Sequence, residues 1–154
     1  MTDVKKITVV CTGNICRSPM GEVMLRHHLD QESTKDLEVN SCGLGGWHEG
    51  EAADTRALKQ LSTDGYDGFA HRAAKFNEQV HGDADLYLAM DSGHVDGLKD
   101  LGVPEDKIRL FRSFDSQSSE GAEVADPYYG TEEDFATVAR QVKAAIPGII
   151  EAVG

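Results

Sequence analysis

Val9-Val10-Cys11-Thr12-Gly13-Asn14-Ile15-Cys16-Arg17-Ser18-Pro19 decides the reading of this chain, because an apolar strand runs directly into a cysteine, five loop residues, an arginine and a hydroxyl. If Ile7 to Val10 form a strand and the chain from Ser18 onward a helix, the intervening backbone N–H groups curl around a concavity suited to a dianion. The positive end of the helix then stands behind it. Arg17 adds a planar fork matched to two phosphate oxygens. Cysteine is a good nucleophile only as thiolate, and N–H dipoles, a nearby guanidinium and a hydroxyl donor such as Ser18 favour that form. An isolated Cys-x5-Arg often arises by chance, and a cysteine after an apolar strand is more often a small buried core residue. Here Gly13 and Asn14 permit positive φ inside the loop and Ser18-Pro19 open a helix, so a phosphate cradle and a nucleophile come as one unit.

Working outward, apolar periodicity alternates strands with helices. Lys6 to Val10 is a β-branched run, and Pro19 to Leu29 places Met20, Val23, Met24, His27 and His28 at helical spacing. Leu37 to Ser41 reads as a second strand; Asp54 caps a helix carrying Ala57, Leu58 and Leu61 up to Gly65. Asp85 to Met90 makes a third strand, followed by a helix with Val95, Leu98 and Leu101 on one face, and Lys107 to Phe111 a fourth. Thr131 to Asp134 resembles a capping box before a last helix with Phe135, Val138, Val142, Ala145 and Ile149, which Pro147 should kink or interrupt. Ser113 to Gly121, rich in Ser, Asp, Gln and Gly, should be mobile.

Strands separated by helices imply right-handed crossovers, hence an α/β fold with a four-stranded parallel sheet covered by helices on both faces. Ligands then bind at the carboxyl ends of the strands. Cys11, the Ser41 to His48 segment, Asp91 and the Ser113 to Tyr129 loop all follow strands at that edge.

With 154 residues the chain is expected to be one domain, 1–154, able to bury about 70% of its unfolded surface. Its first residues are polar and charged, and no window approaches the roughly 18 apolar residues of a membrane span, which points to a cytoplasmic protein. Three cysteines argue for thiols in a reducing compartment rather than a disulfide framework. A net charge of −12 makes nucleic acid or an anionic membrane an unsuitable partner. It also repels phosphate monoesters at long range, so positive potential must be local to the cradle, which screening within about 8–10 Å allows. His, Cys and Asp spacings give no zinc pattern, and no cofactor is expected.

Cys11 to Glu22 resembles the signature of the low-molecular-weight protein tyrosine phosphatases, and Asp126-Pro127-Tyr128-Tyr129 resembles their second signature, the general-acid loop. Trp47-His48, His71 and Met90-Asp91 also have counterparts there, so the resemblance extends over essentially the whole chain. It implies attack by Cys11, stabilisation of the equatorial oxygens by Arg17 and the amides of Thr12, Gly13, Asn14, Ile15 and Cys16, and leaving-group protonation by Asp126. An acid inside the loop would repel the dianion, which is why it must come from another segment. An Asp-Pro turn is the alternative for Asp126 taken alone. A reaction needing the Cys11 thiolate with the Asp126 acid should have a bell-shaped kcat/KM profile with an acidic optimum.

The resemblance further implies that Asn14, Ser41 and His71 support the loop, with Asn14 in a strained conformation, and that Ser18 donates to the thiolate. His71 reads equally well as a surface histidine, because the family commonly has an arginine three residues later, where this chain has Ala74. Cys16 is either a packed thiol or, as in the family, the partner of a reversible disulfide with Cys11; Cys42 reads as a buried strand-end thiol. Trp47, Tyr128 and Tyr129 are candidate walls for an aromatic leaving group, although Trp47 could equally plug the core. Protein-arginine phosphatases typically carry threonine where Ile15 stands, which favours phosphotyrosine here. Thioredoxin-coupled arsenate reductases use two further cysteines near the third strand, and residues 80 to 100 contain none. A non-catalytic phosphate-ester binding module is the remaining alternative. Tyrosine-phosphorylated proteins, a tyrosine kinase as partner and a monomeric state are the expectations that follow.

Overall fold

Ile7, Thr8, Val9 and Val10 are all fully buried, as residues of a strand covered on both faces must be. They lie in β1 (Lys6–Cys11) of a computed structural model that describes residues 4–31 and 37–154. Strand β1 pairs in parallel with β2 (Glu38–Gly43) and with β3 (Leu86–Ala89), which pairs in parallel with β4 (Ile108–Leu110); the order is β2-β1-β3-β4. The expected four-stranded parallel sheet is therefore present. The buried hydroxyl of Thr8 meets Asn40 Oδ1 across β1 and β2 at 2.6 Å, so it remains hydrogen-bonded away from water.

Alternation along the strands divides the core into two clusters. Leu86 and Leu88 face one with Ile7, Val9, Met20, Leu25, Phe135, Val138 and Ile149, under α1 (Arg17–Gln31) and α5 (Glu132–Val153). Tyr87 and Ala89 face the other with Val10, Cys42, Leu98 and Ile108, on the side of α4 (Ser92–Asp100). Helix α2 (Thr55–Thr63) packs on α5 and begins at Asp54, whose Oδ1 accepts the Arg56 N–H at 2.8 Å. Among the described residues no helix is long and apolar enough to cross a membrane.

Several expectations need correction. Strand β2 begins one residue later than expected, at Glu38, and runs on to Gly43, and β4 is shorter than expected because tight 3-10 turns, Glu105–Lys107 and Phe111–Phe114, flank it. The four-residue α3 (Glu78–His81) gave no periodic signal because it is only one turn long. Pro147 does not interrupt α5, which continues to Val153. It lies on the exposed side of the helix, while Ile146 and Ile149 are buried and hold that turn against the core. In the Ser113 to Gly121 stretch, Ser118 Oγ lies 3.0 Å from both the Arg112 and the Asp115 carbonyls.

The parallel register aligns the strand ends that carry the site. Cys11 pairs with Gly43, and the next residues are tied together, Leu44 N–H to Cys11 O at 3.0 Å and Gly45 N–H to Thr12 O at 2.9 Å. A Cβ on Gly43 would lie 2.8 Å from Thr12 O and 2.9 Å from Asn14 N, so only glycine lets the loop after β1 approach β2 this closely.

Candidate active site

Between Cys11 and Arg17 the chain wraps around the start of α1, and Asn14, with φ of 59°, is the only non-glycine residue at positive φ among the described residues. Its cost of roughly 1–2 kcal/mol is offset by four hydrogen bonds. Asn14 Nδ2 donates to Ser18 Oγ at 2.7 Å and Ser41 Oγ at 3.0 Å; Oδ1 accepts the Ala74 N–H at 2.9 Å; the carbonyl accepts from His71 Nε2 at 2.8 Å. His71 thus reaches the loop's main chain, and position 74 contributes its own main chain, so an arginine side chain there is not needed for this contact.

Those bonds lead on to the sulfur. Ser18 Oγ accepts from Asn14 and lies 2.9 Å from Cys11 Sγ, to which it donates when the sulfur is a thiolate; its other acceptor is the Cys42 carbonyl at 3.4 Å. Ser41 likewise accepts from Asn14 and donates to Glu22 Oε1 at 2.6 Å, while Glu22 Oε2 pairs with Arg26. A polar chain therefore runs from the sulfur through Ser18, Asn14 and Ser41 to a buried carboxylate.

Arg17 is buried and aimed by two acceptors, Asp91 Oδ2 at 2.9 Å and the Val124 carbonyl at 3.1 Å, both on Nη1; Nη2 lies 3.7 Å from Asp126 Oδ2. Burial pushes the Asp91 carboxyl up, but the Arg17 hydrogen bond and nearby His94 outweigh it and hold the group below the usual range. His94, also buried, closes a capping box with Asp91: its backbone N–H donates to Asp91 Oδ1 at 3.0 Å, and its Nδ1 accepts the Asp91 N–H at 3.2 Å. Burial above all lowers the imidazole pKa to about 4, so the ring is neutral at pH 7 and forms no ion pair with the Asp91 carboxylate. The tautomer assigned by these contacts carries its proton on Nε2, which donates to Thr12 Oγ1 at 2.8 Å.

Cys11, Thr12, Gly13, Ile15, Cys16 and Arg17 line a cleft of about 370 Å³ whose other walls are Trp47, His48, Asp126, Tyr128 and Tyr129. Asp126 is half exposed, and Oδ1 accepts the Tyr128 N–H at 3.1 Å. The Tyr128 and Tyr129 rings meet edge to face at 4.9 Å. Trp47 is 74% exposed on the cleft, which removes the core-plug reading. Burial pushes both the Cys16 and Cys42 thiols far up, so each rests as neutral thiol.

A nucleophile, an anion cradle and a carboxyl in one cleft are the equipment for transferring a phosphoryl group through cysteine. The sequence profile of the low molecular weight phosphotyrosine protein phosphatases matches residues 6–154. This chain belongs to that family.

Among relatives of this phosphatase, low molecular weight protein-tyrosine phosphatase A of Mycobacterium tuberculosis is 44% identical over 151 residues, 97% of this chain and 91% of the relative. The Streptomyces coelicolor low molecular weight protein-tyrosine-phosphatase is 41% identical over 153 residues, 96% of this chain and 93% of that one. The solved Entamoeba histolytica protein tyrosine phosphatase superposes with a TM-score of 0.86 at 29% identity, covering 95% of this chain and 94% of that one. The low molecular weight protein tyrosine phosphatase of T. tengcongensis does so at 0.85 and 32%, over 96% and 98%. Family members are phosphate-monoester hydrolases, and this phosphatase is an enzyme.

All the residues singled out in the sequence meet here, Asn14, Ser18, Ser41 and His71 behind the loop and the others on the cleft. Sequence gives Asp91 a place at the sheet edge but no role, leaves Glu22 at the end of the Cys11 to Glu22 signature without one, offers no signal for Arg56, and barely marks His94. A histidine three residues after a helix-capping aspartate is the only cue for the last.

Proposed function

We propose that this phosphatase hydrolyses phosphotyrosine on proteins, and small aryl phosphates, through a phosphocysteine. The Cys11 thiolate attacks phosphorus in line and the ester P–O bond breaks, while Asp126 gives its proton to the departing phenolate oxygen. Arg17 and the Thr12 to Cys16 amides stabilise the three equatorial oxygens. The Asp126 carboxylate then takes a proton from the water that attacks phosphorus, the S–P bond breaks, and inorganic phosphate and the thiolate are released. The placement of Arg17 carries this reading: it stands between the loop holding Cys11 and a carboxyl 3.7 Å from its own Nη2, in one cleft.

Trp47, Tyr128 and Tyr129 extend the cleft away from Cys11, which suits a long flat leaving group rather than a serine phosphate. Ile15 offers no hydroxyl where an arginine phosphatase would use one, and no cysteine in residues 80 to 100 could relay electrons from an arsenate reaction. Cys16, in the same loop as Cys11, is the candidate for a reversible protective disulfide. The setting is a cytoplasmic monomer acting opposite a tyrosine kinase.

The test is turnover of a phosphotyrosyl peptide beside its phosphoseryl and phosphoarginyl counterparts. Wild type should prefer the first, with a bell-shaped kcat/KM against pH; Cys11→Ser should be inactive, and Asp126→Ala reduced about 10²–10⁴-fold. Full activity of Cys11→Ser, or a monotonic rise toward alkaline pH, would sink the mechanism.

A further inference from the structure

The loop that carries Asp126 is anchored unevenly. Upstream, Val124 N–H donates to Met90 O at 2.8 Å, Arg17 donates to Val124 O, and Ala125 N–H donates to Gln141 Oε1 at 3.2 Å. Downstream, the Pro127 to Gly130 turn closes on itself, Gly130 N–H to Pro127 O at 2.9 Å, and is gripped from outside by one side chain. Arg56 donates from Nη2 to Tyr128 O at 2.9 Å and from Nη1 to Gly130 O at 3.0 Å.

The same guanidinium is fixed from behind. Its Nε and Nη2 meet the two oxygens of Asp54 at 3.0 and 2.9 Å, a bidentate pair, and its Cζ lies 4.6 Å over the ring of Phe135 in the first turn of α5. Asp54 in turn donates its backbone N–H to Ile15 O at 2.8 Å, inside the nucleophile loop. One continuous path of hydrogen bonds therefore runs from the loop of Cys11 through Asp54 and Arg56 to the segment that follows Asp126.

We propose that Arg56 is a positioning residue for the general acid: with Asp54 it fixes the Asp126 loop relative to the nucleophile loop, so that the carboxyl stands over the leaving-group side of the cleft. The inference rests on the reading of Asp126 as general acid. Lysine cannot replace the fork, because a single ammonium cannot span a carboxylate and two carbonyls that face different edges of the guanidinium. An acid displaced by about 1 Å loses proton transfer by roughly 10²-fold while leaving attack and anion binding in place.

The experiment compares kcat/KM on phenyl phosphate, whose leaving group needs a proton, and on 2,4-dinitrophenyl phosphate, whose leaving group does not. Arg56→Gln and Arg56→Lys should lose about 10-fold or more on the first and stay within about two-fold on the second, with the inhibition constant of inorganic phosphate unchanged. Asp54→Asn, which keeps an oxygen to cap α2, should show the same pattern more weakly and covers the case in which the Arg56 variants do not fold. Arg56→Gln added to Asp126→Ala should cost nothing further on phenyl phosphate. Equal losses on both substrates, a raised phosphate constant, or multiplying losses in the double variant would overturn the proposal. If Asp126→Ala itself fails to discriminate the substrates, the general-acid reading falls. If it discriminates and Arg56→Gln and Asp54→Asn do not, only the role of Arg56 falls.

Discussion

The backbone N–H of Ala74 donates to Asn14 Oδ1 at 2.9 Å, so the strained residue of the nucleophile loop is held by main chain from a segment sixty positions away. The contact does not depend on the side chain at position 74, which frees that position to depart from the family's arginine.

It follows that Ala74→Arg should leave kcat/KM and unfolding free energy nearly unchanged, within about 0.5 kcal/mol for the latter. Asn14→Ala should do the opposite. It removes three side-chain hydrogen bonds and puts a Cβ-bearing residue without local support at φ near +59°, costing about 2–4 kcal/mol of stability. It also releases Ser18, so kcat/KM should fall about 10²-fold. Urea unfolding together with aryl phosphate turnover measures both effects, and a harmful Ala74→Arg beside a harmless Asn14→Ala would reverse the argument.

His94 ties stability to pH. Its folded pKa of about 4 lies below the unfolded value of 6.5, so the folded state binds fewer protons between them. The stabilisation is complete above pH 6.5 and is lost as pH falls toward 4; at 1.36 kcal/mol per unit the full loss is about 3 kcal/mol. Burial lowers His81 as well, and it acts with the same sign. Unfolding measured at intervals from pH 7.5 to 4.5 should show this decline, and His94→Asn, which can still accept the Asp91 N–H, should be less stable at pH 7.5 but decline less steeply. Parallel pH curves for the two proteins would show that His94 is not the proton sink.

Trp47 separates binding from packing. With most of its ring in solvent, Trp47→Ala should change stability by no more than about 0.5 kcal/mol, whereas a buried tryptophan would cost about 3–5. Loss of a ring-on-ring contact worth about 1.4 kcal/mol should raise KM for a phosphotyrosyl peptide about tenfold, with kcat less affected. An unchanged KM would remove Trp47 from the substrate wall.

What was legible in the sequence was what local chemistry dictates. The Cys11 to Pro19 run specifies strand, loop and helix together, Asp54 and Thr131 announce their helices, and the alternation of elements yields the sheet. What was not legible depends on partners brought together only by the fold. Arg56 reads as a surface arginine near a helix start until residues 128 and 130 arrive against it, and His94 reads as one more polar helical residue until Thr12 does. Ala74 shows the same limit from the other side, since a main-chain donor leaves no mark on residue identity.

Pro147 and Gly148 are adjacent in α5, and helix propensity alone says that alanine at either should stabilise. Their surroundings predict opposite signs. Pro147 is exposed, so Pro147→Ala restores the missing hydrogen bond to the Lys143 carbonyl without meeting a neighbour and should add about 1–2 kcal/mol. Gly148 lies where the helix touches the 3-10 turn after β4, and a Cβ there would stand 2.0 Å from the Phe114 carbonyl oxygen. Gly148→Ala must push that turn away, disturbing a Phe114 ring that lies 4.9 Å from the Arg109 guanidinium; overpacking of this kind costs about 1–3 kcal/mol, more than the propensity gain of about 0.5–1. Urea unfolding of the two single variants decides it: if both gain stability, the close approach at Gly148 does not constrain the fold, and if both lose it, Pro147 contributes more to α5 than its missing hydrogen bond costs.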